Sequence, residues 1–194
     1  MISDSLEHKK DEEIVPLILQ NQDYFLYIVR RYEEKLKRYI SRISGLAHED
    51  MEDLLQDIFI KVYQNLNDFD TSLKFSSWIY RIAHNETISN FRKLKSRPAI
   101  VSYDDDPVLA NQLASKTDFV KEIEKEYDAK VIRQVLAKLD KKYREVLILK
   151  FIEEKDYNEI SDILQKPIGT VGAMINRGKK QFKKIVVRER IDFK

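Results

Sequence analysis

Apolar residues recur at helical spacing through much of the chain. Leu54, Leu55, Ile58, Val62 and Leu66 fall on one side of a helix, which predicts an amphipathic helix with that stripe in the core. The opposite side carries Asp53, Gln56, Asp57, Ile60, Lys61 and Gln64. Because an aliphatic residue is unusual among such polar neighbours, Ile60 marks a candidate contact surface.

The segment that begins at Phe75 changes character along its length. Phe75, Trp78, Ile79 and Ile82 share a face at i, i+3, i+4 and i+7, which predicts core packing for all four. Small polar residues, "HNETISN", and a basic tail, "FRKLKSR", follow. Upstream, residues 14–40 carry Leu, Ile, Tyr and Phe at helical spacing and predict one or two further helices.

The second half of the chain predicts several helices in quick succession. Two apolar stripes come first: Ile132, Val135, Leu136 and Leu139, then Tyr143, Val146, Leu147 and Phe151. "DYNE", residues 156–159, has the spacing of a capping box and predicts a short helix from Asp156 to Gln165. That helix buries Ile160, Ile163 and Leu164. Pro167 suits the first turn of the next helix, which does not need its missing N–H.

The last predicted helix has an apolar inner face and a basic outer face. Val171, Ile175, Gly178 and Phe182 point one way. The other side carries Ala173, Asn176, Arg177, Lys180, Lys183 and Lys184. A short helix, a tight turn and a longer basic helix are typical of a helix-turn-helix DNA-binding unit, in which amide and guanidinium groups read base edges and lysines contact phosphates.

Composition supports an all-α fold of two small helical domains. Only 4 glycines and 4 prolines occur among 194 residues, and the abundant residues favour helix. The chain has no cysteine, which fits a reducing compartment. No apolar run approaches the roughly 20 residues that span a bilayer, and the N-terminus lacks the apolar segment of a signal peptide. We therefore expect a cytoplasmic protein without membrane insertion.

Charge is uneven along the chain although the net charge is only +2. Residues 47–70 hold seven acids and one base, Lys61, whereas residues 81–97 hold five bases and one acid, Glu86. Residues 166–194 hold nine bases and two acids. A single charged block is usually a solvated helix face, but two basic blocks in separate halves favour a shared polyanionic partner.

A linker separates the two predicted domains. Residues 96–118 contain Pro98, Pro107 and an Asp triplet without a helical apolar period. We place the domains at 1–95 and 118–194 and the linker at 96–117. The acidic triplet fits surface solubility.

The sequence gives little reason to expect an enzyme, a metal or a cofactor. His8, His48 and His84 are scattered, and no thiolate is available. The adjacent acids between Glu49 and Asp53 are those of an exposed, solvated turn.

Two stretches resemble a known family. "EDLLQDIFIKVYQNLNDFD" followed by "FSSWIYRIAHNETISNFRK" resembles region two of bacterial RNA polymerase sigma factors. "LDKKYREVLILKFIEEKDYNEISDILQKPIGTVGAMINRGKKQFKK" resembles their region four. The likeness runs from about residue 25 to residue 186, and the short linker is similar to that of the extracytoplasmic-function group. It implies a subunit that binds core RNA polymerase and recognises and melts promoter DNA.

The resemblance also implies roles for particular residues. The residues that would dock on the clamp helices of the largest polymerase subunit are Asp53, Gln56, Asp57, Ile60 and Lys61. Asn85 accepts an unstacked base of the minus-ten element. Around it, Thr87, Ser89 and Asn90 lie close by, and Arg81, Arg92, Lys93 and Lys95 hold the DNA backbone. The residues that would contact the minus-thirty-five element are Thr170, Gly172, Ala173, Asn176, Arg177, Lys180, Lys183 and Lys184. The polymerase flap is a further implied partner. The resemblance also implies that the linker runs through the polymerase near the path of the nascent RNA, where the Asp triplet either mimics nucleic-acid charge or serves solubility. Members of the group often have an anti-sigma factor.

Alternatives remain at this stage. A two-domain helix-turn-helix regulator without polymerase would need neither the acidic helix nor the polar end "HNETISN", and a helical adaptor would not need two basic blocks. Asn85 alone would fit a helix-breaking or capping residue. Residues 169–174 read "GTVGAM" where relatives carry "GTVKSR" or "GTVRSR". Gly172 therefore either lets the helix approach DNA closely or reflects drift.

Overall fold

Helices account for nearly all of the described structure. The computed structural model describes residue 6 and residues 8–96 and 131–191, without the side chains of residues 94–96. The helices are α1 (Asp11–Gln20), α2 (Phe25–Ser44), α3 (His48–Gln64), α4 (Phe75–Ser96), α5 (Lys141–Phe151), α6 (Tyr157–Leu164) and α7 (Ile168–Arg188). Residues 131–137 are also helical, and no strand occurs in these ranges. The all-α prediction is confirmed, while the predicted linker and the start of the second domain lie outside the described residues.

The described chain forms two compact units. One holds the residues up to 96 together with 158–166, and the other holds 131–157 together with 167–191. The first of them contains α1 to α4 and nearly all of α6. Its helices α1 to α4 are connected by a left-handed glycine, Gly45 (φ 66°), between α2 and α3 and by short 3₁₀ turns at Gln22–Tyr24 and Leu66–Asp68.

The predicted stripe of α3 is buried throughout, and that of α4 only in part. Leu54, Leu55, Ile58, Val62 and Leu66 are all core residues. In α4 the fully buried ridge follows steps of four residues: Phe75, Ile79, Ala83 and Thr87. Because Ile82 lies beside this ridge, it is half-exposed, and the prediction that it belongs to the core is wrong.

The helix α1 is bound to the rest of the first unit by carboxylates as well as by apolar packing. Asp11 accepts hydrogen bonds from Arg31 Nη1 and Tyr32 Oη, each at 2.5 Å. Glu12 Oε1 accepts the backbone N–H of Phe75 at 2.7 Å, at the start of α4. Burial, aided by the nearby Asp11 charge, raises the pKa of Tyr32 well above its ordinary range, so the phenol remains a donor.

In the other unit, α5 packs against α7. Val146, Leu147, Ile148 and Leu149 are buried in α5, but Phe151 is 53% exposed, so its predicted place in the core is wrong. Phe151 is the last residue of the helix. The Lys179 ammonium lies over its ring, 4.9 Å from the ring centroid. Its apolar surface thus packs partly against a solvated lysine.

The guanidinium of Arg144 closes the turn before α5. It donates to the carbonyls of Leu136, Ala137 and Leu139 at 3.0, 2.7 and 3.3 Å. These carbonyls lie at or just after the end of the helical segment 131–137, where few backbone donors remain. The Leu136 carbonyl also accepts the Leu139 N–H at 3.1 Å. Arg144 therefore fixes the corner between residues 131–137 and α5.

Gly178 lies where α7 passes close to Leu147 of α5. A Cβ added there would lie 3.1 Å from Leu147 Cγ, whereas one at Gly172 would be in ordinary contact, 3.7 Å from Tyr157 Cε1. We expect Gly178→Ala to destabilise the protein by about 1 kcal/mol, because overpacking against a buried side chain outweighs the gain in helix propensity. Gly172→Ala, the matched control, should stabilise it by up to about 1 kcal/mol.

Urea unfolding followed by circular dichroism measures both glycine variants. Equal stabilisation by the two substitutions would show that Leu147 moves aside at little cost. Restoration of stability when Leu147→Val accompanies Gly178→Ala would identify the Leu147 side chain as the obstacle.

Candidate polymerase and nucleic-acid interfaces

The solvent side of α3 presents the predicted docking residues together. Asp53, Gln56, Asp57 and Ile60 are all exposed, and Ile60 is 54% exposed. We call these four residues the α3 outer face. They are held there because the buried stripe of the same helix fixes its rotation about its axis. Acidic and amide groups around one exposed isoleucine can bind a basic partner that also offers an apolar contact.

Lys61 is exposed as well, but its ammonium has a partner within the protein. Lys61 Nζ lies 2.6 Å from Glu86 Oε1 on α4. The sequence predicted Lys61 as a docking residue and gave Glu86 no role. The structure joins the two.

The surroundings of the α3 outer face include features that the sequence did not predict. Beyond Ile60, the exposed ring of Tyr63 packs on Phe25 with ring centroids 5.1 Å apart, which extends the apolar surface. At the other end of α3, Lys37 donates to Glu52 at 3.0 Å. This hydrogen bond and the charge of His48 lower the pKa of Glu52. The only sequence signal for Tyr63 is its place off the buried stripe.

The polar segment of α4 lies within an unbroken helix. Asn85 is exposed and stands far from both ends of α4, so it neither breaks nor caps the helix. Ser89 and Asn90 are half-exposed. Thr87 differs, because its side chain is buried and its hydroxyl donates to the Ala83 carbonyl at 2.7 Å. Its hydroxyl therefore faces the helix interior and is not presented to a ligand.

Cationic side chains flank the polar segment of α4. Arg81 is half-exposed, and Arg92 and Lys93 are exposed. Lys95 lies in the helix, but its side chain is outside the described residues. Trp78 is buried against Phe69 and Phe75, with ring centroids 5.2 and 5.4 Å away, which confirms it as a core residue.

The α6–α7 segment has the predicted helix-turn-helix order. The helix α6 begins at Tyr157, directly after Asp156, and Gln165 turns the chain with a left-handed backbone (φ 52°). Pro167 immediately precedes α7 instead of lying in its first turn. Its carbonyl accepts the Val171 N–H at 3.0 Å, so it serves as the N-cap.

The helix α7 separates apolar and polar sides as predicted. Val171, Ile175 and Gly178 are buried, and Phe182 is half-buried. The predicted DNA-contacting residues other than Gly172 are all exposed, and we call them the α7 outer face: Thr170, Ala173, Asn176, Arg177, Lys180, Lys183 and Lys184. Because a Cβ at Gly172 would point at the Tyr157 ring, Gly172 lies at the margin of this face.

The described ranges hold neither a candidate metal site nor a membrane-spanning helix. Over residues 8–96 and 131–191, no group of three or more His, Cys, Asp or Glu side chains is arranged to hold a metal ion. None of the helices described for this chain combines the length and apolar character needed to cross a membrane.

Two family models match the chain. Sigma-70 region 2 matches residues 28–97, and sigma-70 region 4 matches residues 129–182. The ECF RNA polymerase sigma factor SigW of Bacillus subtilis is 37% identical over 171 residues, which cover 84% of this chain and 89% of SigW. The ECF sigma-E factor of Escherichia coli K12 is 29% identical over 181 residues, or 89% of this chain and 92% of that protein.

Solved structures share the fold. CnrH, solved in complex with the cytosolic domain of CnrY, superposes with a TM-score of 0.67 at 22% identity, covering 93% of this chain and 99% of that chain. The sigma factor RpoE of Bartonella quintana, solved with the anti-sigma factor NepR, gives a TM-score of 0.62 at 20% identity. The match covers 84% of this chain and 96% of that chain.

These matches and the all-helical fold define the class of protein. The chain belongs to the sigma-70 family and, within it, to the ECF group of RNA polymerase sigma factors. As a sigma factor it directs transcription initiation together with RNA polymerase, through promoter DNA. Sigma factors are generally not enzymes.

Proposed function

We propose that this sigma factor divides its work among three exposed surfaces. The α3 outer face docks on the clamp helices of the largest polymerase subunit. The polar segment of α4 holds an unstacked minus-ten base, and the α7 outer face reads the minus-thirty-five element. The domain holding α1 to α4 extends over residues 1–95 and the promoter-reading domain over 118–194, in the cytoplasm, where core polymerase and chromosomal DNA are found.

The observation that carries this proposal is that the candidate contact residues of α3 and α7 are exposed on the side opposite the buried stripe of the same helix. In both α3 and α7 the apolar stripe is buried, and the residues assigned to a partner lie on the solvent side. Residues that face solvent at every such position contribute little to packing, so their substitution should affect binding more than folding.

The docking partner should be basic with an apolar element. Three polar groups of the α3 outer face surround Ile60, and the Phe25–Tyr63 pair extends the apolar part. Lys61 lies at the edge of this face and is paired with Glu86, so we assign the docking contacts to Asp53, Gln56, Asp57 and Ile60. The polymerase flap is the contact proposed for the domain that carries α7.

Promoter contacts divide between reading and anchoring. On α4, Asn85 offers an amide to an unstacked base, while Ser89, Asn90 and the flanking cations hold the strand. On α7, Thr170, Asn176 and Arg177 are placed to read base edges. Lys180, Lys183 and Lys184 are phosphate anchors, because ammonium groups bind phosphates as point charges.

An anti-sigma factor is a further proposed partner. CnrH was solved with the cytosolic domain of CnrY, and the Bartonella RpoE was solved with the anti-sigma factor NepR. Their fold is shared with this chain, and a partner that covered the α3 outer face would compete with core polymerase. Pull-down of the full chain with its candidate partner, with and without core polymerase, tests this competition.

Dependence on polymerase distinguishes this function from that of a free DNA-binding regulator. We expect the chain alone to bind promoter duplex weakly, and sequence-specific binding to appear only with core polymerase. A net charge of +2 provides limited electrostatic attraction at physiological salt.

Run-off transcription from a genomic library with core polymerase finds the promoter, and gel-shift titration of that promoter with and without core polymerase measures the dependence. A scrambled promoter is the control. Tight, specific binding by the chain alone would contradict the proposed function and support the regulator.

A further inference from the structure

Lys61 and Glu86 each carry a charge opposite to that of the charged residues around them in the sequence. Lys61 is the one base among seven acids in residues 47–70, and Glu86 is the one acid among five bases in residues 81–97. The two residues are 25 positions apart in the chain, yet Lys61 Nζ and Glu86 Oε1 meet at 2.6 Å. The two exceptions are therefore a pair that joins α3 to α4.

Glu86 lies on the side of α4 that is proposed to hold DNA. It follows Asn85 directly, and Ser89 and Asn90 stand three and four positions further on, on the same side of the helix. Its side chain is 20% exposed and that of Lys61 49% exposed. A free carboxylate at this place would repel the phosphates of an entering strand.

We propose that Lys61 and Glu86 form a positioning pair for promoter melting. Lys61 neutralises the Glu86 carboxylate beside the minus-ten segment and keeps it turned toward α3, away from the incoming strand. The pair also ties the segment that holds the base to the helix that docks on polymerase. This inference rests on the proposed function of α4, and it assigns Lys61 to DNA opening instead of to a polymerase contact.

The pair has little importance for folding. Partly exposed ion pairs contribute weakly to stability because solvent screens them and ordering two long side chains costs entropy. Loss of Lys61 should therefore leave a folded protein in which Glu86 is unpaired. The defect should appear where DNA approaches Glu86.

The experiment compares four holoenzymes on one promoter: wild type, Lys61→Met, Lys61→Met with Glu86→Gln, and Lys37→Met. The last is the matched control, since it removes the Lys37–Glu52 pair, which also joins two helices of the same domain. Fluorescence titration measures core affinity, permanganate reactivity measures melting, and thermal unfolding checks the fold.

Lys61→Met should lower the equilibrium constant for promoter melting about five- to tenfold, because the unpaired Glu86 carboxylate then repels the phosphates of the entering strand. Core affinity should stay within about twofold of wild type, the range of a surface substitution away from a contact. Adding Glu86→Gln should restore melting, because it removes the charge that Lys61 had neutralised. The deficit of Lys61→Met relative to wild type should shrink as salt rises.

Three outcomes would overturn the pair: normal melting by Lys61→Met, no rescue by Glu86→Gln, or a loss of core affinity as large as the loss of melting. The last would return Lys61 to the docking surface. Failure of the proposed function would give a different result. If the Asn85→Ala holoenzyme melted the promoter as well as the wild-type holoenzyme, α4 would not hold the base at all.

Discussion

Replacing Asp53 and Asp57 together by lysine is expected to reduce the affinity for core RNA polymerase about 100-fold or more, because like charges brought together at a docked surface cost several kcal/mol. Both carboxylates are exposed on the α3 outer face, one helical turn apart. Since neither side chain belongs to the buried stripe, the fold should survive. The measurement is fluorescence titration of labelled sigma factor with core polymerase.

The matched control for this double reversal is Asp23→Lys with Glu33→Lys. Both are exposed acids of the same domain, and the change in net charge is the same. It should alter core affinity only slightly. An equal loss in both double variants would mean that total charge matters more than the place of the acids, and unchanged affinity in the first would move the docking surface elsewhere.

Asn85→Ala should impair open-complex formation while leaving core binding intact. A lost polar partner at a bound base costs about 1–3 kcal/mol, or roughly five- to 150-fold in the melting equilibrium. Alanine favours helix more than asparagine does, and Asn85 is exposed inside α4, so stability should not fall. Permanganate footprinting measures melting, and a promoter series substituted within the minus-ten element measures base preference.

Asn67→Ala controls for the removal of an exposed amide outside α4 and should melt the promoter normally. Normal melting by Asn85→Ala, with base preference retained at every minus-ten position, would exclude Asn85 as the residue that holds the base. A defect present in both variants would point to a general loss of stability.

The elements were predictable because helical periodicity reports burial along one helix. The stripe from Leu54 to Leu66 and the inner face of α7 at Val171, Ile175 and Gly178 were predicted correctly for this reason. Periodicity does not report where a neighbouring helix ends or how steeply it crosses. Ile82 lies beside a ridge that steps by four residues, and Phe151 lies on the final turn of α5, so both are more exposed than their spacing predicts.

The exposure of the proposed interface residues was predictable in outline and not in detail. Exposure of the two outer faces follows from the same periodicity, but the buried hydroxyl of Thr87 depends on the local direction of the α4 ridge. The contacts between Lys61 and Glu86 and between Glu12 and Phe75 join residues 25 and 63 positions apart. Such contacts depend on tertiary packing, which single-helix patterns do not contain.

The hydrogen bond from the Phe75 backbone to Glu12 has a practical consequence for work with fragments. The region 2 match begins at residue 28, so a fragment cut at that boundary would lack α1. It would leave the first turn of α4 without its carboxylate acceptor and uncover the surface on which Ile14, Val15 and Ile18 are buried. A soluble, correctly packed fragment should therefore begin before Leu6, which is itself buried, and a shorter one invites aggregation through the newly bared apolar surface.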